Sequence, residues 1–360
     1  MRIILFLLIT LTLLTSCNEK KLQIVKNDVR TLSAKELTRM GQYTVLEVLS
    51  NDVYHQSDDA DKDPNGKCTY DFYRPKELRG KKLPLVIFLH EGGFVFGDRT
   101  DFVPTKMCKD LARAGFAVAN MNYHLINNPR ALISKEATHR YIMEAVAEVR
   151  LGIQNLKQQA DDLVIDTNKI YVMGWSAGGA IANALLFTDR EEALNYVASE
   201  HRNDFKHNDA FDVPLHLAGV IAIGGCLMAD DADDTDLENT KCLLVHGTED
   251  DMIPSGYDYP LKRYGKGINA DLPVVTPTIK VGGQTISLGF NLHTPDWMSE
   301  LVMNAFTTKV YGSRAIWDLV ENPNVTMLEV KGGSHDFFLT DASFNENYKS
   351  IFKVIQRFIK

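Results

Sequence analysis

The chain has 360 residues, 45% hydrophobic and 24% charged, which is enough apolar material for a full core. Its formal net charge of -8 opposes a phosphate backbone, whose binding requires a clustered basic face, so nucleic acid is excluded as a partner. No Pro, Ser or Gly run divides the middle and no repeat recurs, so residues 35–360 are expected to form one large α/β domain.

Met1-Arg2 gives a positive start, and Ile3 to Leu14 is almost continuously apolar, too short to span a bilayer but suited to a signal segment. It runs into Leu14-Thr15-Ser16-Cys17, which resembles the bacterial lipobox, in which the cysteine is lipidated and becomes the first mature residue. An ordinary signal peptide cut nearby is the alternative. Both readings of residues 1–17 predict export. The lipobox adds a membrane partner, through a lipid on Cys17, in the bacterial cell envelope. The polar stretch over residues 18–34 reads as a tether.

Thr44 to Val53 and Lys67 to Tyr73 read as an N-terminal antiparallel hairpin, and Leu83 to Leu89 as the first buried strand. A helix over Lys106 to Ala114, a strand over Phe116 to Tyr123 and a long amphipathic helix over Ser134 to Gln159 follow. That helix carries Ile142, Ala145, Val149 and Ile153 on one face. Further strands are expected at Lys169 to Met173, Leu217 to Gly224, Lys241 to Val245 and Val325 to Val330. A last helix is marked by Phe344, Tyr348, Ile351, Phe352, Ile355, Phe358 and Ile359. Strands alternating with helices imply a mostly parallel sheet covered on both faces, with functional loops beyond the carboxyl ends of its strands.

Gly174-Trp175-Ser176-Ala177-Gly178-Gly179 joins such a strand to a small-residue helix, so Ser176 sits on a sharp turn that only unencumbered neighbours permit. A serine hydroxyl needs a base, an orienting acid and donors for an oxyanion. His90-Glu91-Gly92-Gly93-Phe94 follows the first buried strand, and the amides of Gly92 and Gly93, with that of Ala177, suit the oxyanion. His246-Gly247-Thr248-Glu249-Asp250-Asp251 follows a later strand, where the acid belongs in a Ser, Asp, His order. Two aspartates compete there, and the spacing from His246-Gly247 and before Ile253-Pro254 favours Asp250 over Asp251. His246 itself reads as a structural residue at the strand end. Of ten histidines, His335 in Gly332-Gly333-Ser334-His335 is best placed as general base, since it closes the last strand on a glycine loop.

Four motifs in this order resemble the α/β-hydrolase superfamily, and within it the hormone-sensitive-lipase-like and BD-FAE-like esterases and lipases with an HGGG-type oxyanion motif. The resemblance runs over about residues 67–360 and includes Tyr70-Asp71-Phe72-Tyr73-Arg74-Pro75 and Asn122-Tyr123-His124. It implies an eight-stranded, mostly parallel sheet with helices on both faces. It also implies Ser176 as nucleophile, His335 as base, Asp250 as acid, Gly92, Gly93 and Ala177 as amide donors, and no cofactor. Two residues depart from the pattern: Glu91 stands where glycine is usual, and His124 where arginine often follows Asn-Tyr. A carboxylate at Glu91 facing the pocket would disfavour anionic acyl groups.

The expected activity is hydrolysis of carboxylic esters through an acyl-enzyme, on small molecules or on acetyl or feruloyl groups of glycans. A serine peptidase with a prolyl-oligopeptidase-like elbow is the nearest rival, although nothing before residue 67 has the length of a propeller. An inactive surface-binding lipoprotein is the other. Between Asp250 and His335, residues 255–306 exceed what a helix and a strand require. Val274 to Phe290, turning at Val281-Gly282-Gly283-Gln284, reads as an inserted hairpin, either a lid or a wall of the acyl pocket with Trp297 and Met298 as apolar contacts, or a surface elaboration. Cys68, Cys108, Cys226 and Cys242 read as buried free thiols. No metal is expected: Asp61 to Gly66 begins like a calcium loop but has Phe72 at the twelfth position, and Asp230 to Glu238 lacks ligand spacing.

Overall fold

The computed structural model describes residues 22–24, 43, 44, 46–56, 67–126, 135–196, 208–227, 240–258, 260, 278–281, 284–287, 309–340 and 343–360. The main sheet contains β1 (Leu22–Ile24), β2 (Leu46–Gln56), β3 (Lys67–Pro75), β4 (Leu83–Leu89), β5 (Ala117–Met121), β6 (Ile165–Trp175), β7 (Gly219–Ile223), β8 (Lys241–Gly247) and β9 (Val325–Val330). Their order across the sheet is β1-β9-β8-β7-β6-β4-β5-β3-β2. From β9 to β5 every neighbouring pair is parallel. The β2–β3 hairpin adds antiparallel to β5, as the sequence pattern predicts. The short β1, from the stretch expected to be a tether, pairs antiparallel with β9 as a ninth strand. Only Leu22 and Ile24 are apolar there, too weak a period to announce a strand.

Apolar side chains along the central strands alternate between two cores, so the sheet is buried on both faces. In β4, Leu83, Leu85, Ile87 and Leu89 face the core that α2 (Lys135–Gln158), α3 (Ala177–Phe187) and α4 (Ser313–Val320) cover. Val86 and Phe88 face the opposite core, covered by α1 (Phe102–Arg113) and α5 (Glu346–Ile359). The face read on α2 is inward: Ile142, Ala145, Val149 and Ile153 are all buried. Each valine, leucine or isoleucine so placed stabilises the fold by roughly 1.5–3 kcal/mol relative to exposure. A polar clamp joins α1 to α5, where the buried Tyr348 hydroxyl donates to Asp110 Oδ2 at 2.9 Å.

Several bounds differ from expectation. α1 begins at Phe102 rather than Lys106, because Pro104 falls in the first turn, where a missing N–H costs no helical bond. β6 starts earlier, at Ile165, pairing with Leu83 before a register irregularity, and β8 runs on through His246-Gly247. Cys226 lies in a separate two-residue strand with Leu227 that pairs with Val310–Gly312. Cys68, Cys108, Cys226 and Cys242 are buried free thiols. Thr278–Val281 and Gln284–Ser287 do form an antiparallel hairpin with a two-residue connection. Residues 1–21, the stretches Asp61–Gly66 and Asp230–Glu238, and Trp297 and Met298 lie outside the described residues. Among the described residues no helix is long and apolar enough to cross a membrane, and no group of side chains could hold a metal ion.

Candidate active site

The chain leaves β4 for β5 on one side and crosses back to β6 on the other, so the carboxyl ends of β4 and β6 open onto a crevice. Ser176 caps α3 there with φ 56 and ψ -117, a conformation that costs a non-glycine residue about 1–3 kcal/mol. Packing holds it. A Cβ on Gly174 would meet Gly178 O at 2.0 Å, and one on Gly178 would meet Leu89 O at 2.2 Å and His90 O at 2.6 Å. The Ser176 amide donates to Ile223 O at 2.9 Å, stitching the turn to β7. The same close approach sets the start of α3 against the end of β4.

Residues 90–101 form the loop beyond β4. The Val95 and Phe96 amides both donate to Gly92 O, at 3.1 and 2.9 Å, in a turn with Gly92 at φ 123 and Gly93 at φ 61. Among the described residues none of the loop's backbone hydrogen bonds is donated by Gly92, Gly93 or Ala177, which leaves three amides for a bound oxygen. The rest of the loop is anchored from behind. His90 is fully buried, stacks on Tyr123 at 4.3 Å, and its carbonyl accepts from the Tyr123 hydroxyl at 2.8 Å. Arg99 pairs with the buried Asp71 at 3.2 Å, and Asn120 and Asn122 bind Arg99 O and Asp98 Oδ2 at 2.6 and 2.8 Å. The unusual His124 is buried against Glu148, which accepts from its amide at 2.8 Å.

Glu91 is only partly covered as a residue, yet its Oε2 is sealed from solvent without a partner. Burial raises its carboxyl pKa to about 7, and the nearby Asp101 pushes the same way.

Across the crevice, His335 Nε2 lies 2.9 Å from Ser176 Oγ and His335 Nδ1 lies 2.8 Å from Asp250 Oδ2. Asp250 belongs to the loop after β8, and its side chain is fully buried while that of His335 is 14% exposed. Asp250 Oδ1 accepts the Met252 and Ile253 amides at 2.9 Å each, and Oδ2 also lies 3.1 Å from His246 Nε2. Burial alone would raise this carboxyl, but hydrogen bonds from His246 and His335, with their charge, outweigh it and hold it well below the carboxylate range. A carboxylate on Oδ2 fixes the proton of neutral His335 on Nδ1, leaving Nε2 to accept from Ser176 Oγ. Of the two competing aspartates it is Asp250 that meets His335 Nδ1.

The structure thus brings Ser176, His335 and Asp250 into one hydrogen-bonded chain beside the Gly92, Gly93 and Ala177 amides. Sequence reasoning missed the contact of His246 with Asp250. The signal was available: a strand continuing through Gly247 puts a histidine four residues before the acid, at the mouth of its loop.

Residues 70–220 match the family model described as BD-FAE. That segment includes the Gly92-Gly93 loop and Ser176 and ends before Asp250 and His335. Curated relatives include the non-reducing polyketide synthase pkbA of Emericella nidulans, 29% identical over 125 residues, 35% of this chain and 5% of that protein. The synthase prhL of Penicillium brasilianum is 30% identical over 163 residues, 42% of this chain and 6% of that protein. The chain therefore spans only a small part of these relatives' length. Among solved structures, the apo form of Thermogutta terrifontis esterase 2 covers 91% of this chain and 97% of its own at 16% identity and a TM-score of 0.49. An inhibited esterase B from Lactobacillus rhamnosis covers 50% of this chain and 49% of its own at 22% identity and a TM-score of 0.37.

Proposed function

Because the chain has the α/β-hydrolase fold and matches the BD-FAE model over residues 70–220, we propose that it is a serine carboxylesterase working through an acyl-enzyme. The observation that carries this reading is the relay from Ser176 Oγ to His335 Nε2 at 2.9 Å and from His335 Nδ1 to Asp250 Oδ2 at 2.8 Å. Ser176 attacks the ester carbonyl while His335 takes its proton at Nε2. Buried Asp250 stays ionised and stabilises the imidazolium that forms. The amides of Gly92, Gly93 and Ala177 receive the developing oxyanion. His335 then returns the proton to the leaving alcohol, and water repeats the sequence to release the acid. No cofactor enters these steps.

Within the proposal, residues 1–17 direct export, a lipid on Cys17 holds the enzyme to the bacterial cell envelope, and the substrates are small-molecule or glycan-linked esters. Acetylated xylan, methyl ferulate and aliphatic p-nitrophenyl esters, offered in parallel to the untethered protein, sort the acyl and alcohol preferences. The decisive variant is Ser176→Ala. Its kcat on p-nitrophenyl acetate is expected to fall by about a thousandfold or more, with loss of fluorophosphonate labelling. Retention of full activity refutes the mechanism.

A further inference from the structure

Behind Asp250 lies a second imidazole that the reaction above does not use. His246 is the penultimate residue of β8, its side chain is fully buried, and its ring is held at both nitrogens. Nε2 faces two acceptors, Ile253 O at 2.9 Å and Asp250 Oδ2 at 3.1 Å, so the ring proton belongs on Nε2. The neutral ring then accepts at Nδ1, where Ser313 Oγ lies 2.8 Å away and donates. Ser313 is itself fully buried at the first residue of α4. It is placed there by close packing, since a Cβ on Gly312 would meet Pro254 O at 1.8 Å, and the Arg314 amide donates to Ser255 O at 2.8 Å. The loop carrying Asp250 is therefore tied to α4 by side chains through His246 and by backbone through the Arg314 and Ala315 amides on Ser255 O.

Resting on the esterase reading, we infer that His246, oriented by Ser313, is a positioning residue for the reaction: it donates to the same Asp250 oxygen that binds His335. The contact has two consequences. It fixes the plane of the carboxylate, so that Oδ2 meets His335 rather than turning away. It also draws part of the negative charge off Oδ2, which tempers how strongly Asp250 favours the His335 imidazolium. The groups that titrate around the carboxylate are His246 from β8, His335 from the loop after β9 and the Cys226 thiol, whose pKa burial pushes up to about 12. Arg314, next to Ser313, is engaged with Asp318 and Glu329. Among these, only the two imidazoles donate to Asp250.

The test is steady-state kinetics on p-nitrophenyl acetate across pH, with melting temperatures, for the wild type, His246→Leu, His246→Gln and Ser313→Ala. Losing one hydrogen bond to a charged carboxylate predicts a fall in kcat of about 10- to 100-fold for His246→Leu, with KM nearly unchanged. The acid limb of kcat/KM should move to higher pH, because an undiluted Asp250 charge favours the imidazolium. His246→Gln keeps an N–H near the Nε2 position and should recover most of the kcat and the wild-type limb at a melting temperature similar to that of the leucine variant. Equal losses in Leu and Gln, or a Leu variant with wild-type kcat and pH profile, overturn the inference. If His246→Leu fails to fold, Ser313→Ala decides: a several-fold drop in kcat with the limb moved the same way supports it, and an unchanged profile overturns it. An active wild type with a flat series refutes only this inference, whereas a wild type neither hydrolysing nor labelled at Ser176 refutes the esterase reading as well.

Discussion

The two loops that flank Ser176 each present a carboxyl with at least one oxygen sealed from solvent, and the two are driven in opposite directions. In the loop after β8, both oxygens of Asp250 meet donors: the Met252 and Ile253 amides on Oδ1, and on Oδ2 His335 together with His246, whose Nε2 is shared with Ile253 O. In the loop after β4, Glu91 Oε2 is covered without any partner. Burial opposes charge on both, yet Asp250 is held low and Glu91 is raised to about 7. Donors, rather than depth, decide which carboxyl is an anion. The pattern suits an ester hydrolase: the carboxyl that holds its charge sits behind the imidazole, where positive charge develops, and the one that takes up a proton more readily sits in the loop of the amides, where negative charge develops.

The largest effect that tests this contrast comes from removing the anion. Asp250→Asn is expected to lower kcat by about 10⁴-fold, because the amide can leave His335 in the wrong tautomer, while Asp251→Asn stays near wild type. Similar losses in both would mean that the loop, not the Oδ2 contact, matters. The next effect comes from the amide side. Gly92→Ala forces a Cβ to within 2.0 Å of Phe96 O at a φ of 123, so the turn must open. Displacing those donors should cost about 10²- to 10³-fold in kcat while fluorescence-monitored melting shows the rest of the fold intact. A variant with wild-type turnover would exclude Gly92 and Gly93 from the oxyanion site.

Much of this arrangement is legible in the residues. The Gly174-Trp175-Ser176-Ala177-Gly178-Gly179 turn announces itself because its glycines answer to contacts within the motif and with the adjacent strand end. Leu83 to Leu89 is read to its bounds because a fully buried parallel strand is a continuous apolar run. Asp250 is separable from Asp251 by its spacing from His246-Gly247, since neighbouring side chains diverge. What escapes the sequence is non-local. The β1 pairing depends on an edge that β9 offers, and the His246 link depends on α4 bringing Ser313 to the far side of the ring. Neither leaves a periodic trace. The start of α1 escapes for a different reason: proline reads as a stop, although the first helical turn tolerates it.

The subtlest test concerns Glu91, and its sign follows from proton counting. The folded carboxyl titrates at about 7 and the ordinary one at 4.5, so between these values the native state holds a proton that the unfolded chain has released. Stability then falls as pH rises through this window, and the full penalty is present above about 7. Glu91→Gln resembles the neutral acid in shape and does not titrate. It should match wild type below pH 4.5 and exceed it at pH 8 by at most about 3 kcal/mol, the upper bound set by the shift and reduced by the residue's partial exposure. Calorimetric melting at the two pH values measures the gap. The same substitution should relieve any loss of kcat/KM above pH 7, where an ionised Glu91 would place a negative charge in the loop that must receive the oxyanion. A stability gap independent of pH would mean that Glu91 titrates in the fold as it does in the unfolded chain, and that the two loops do not differ in charge.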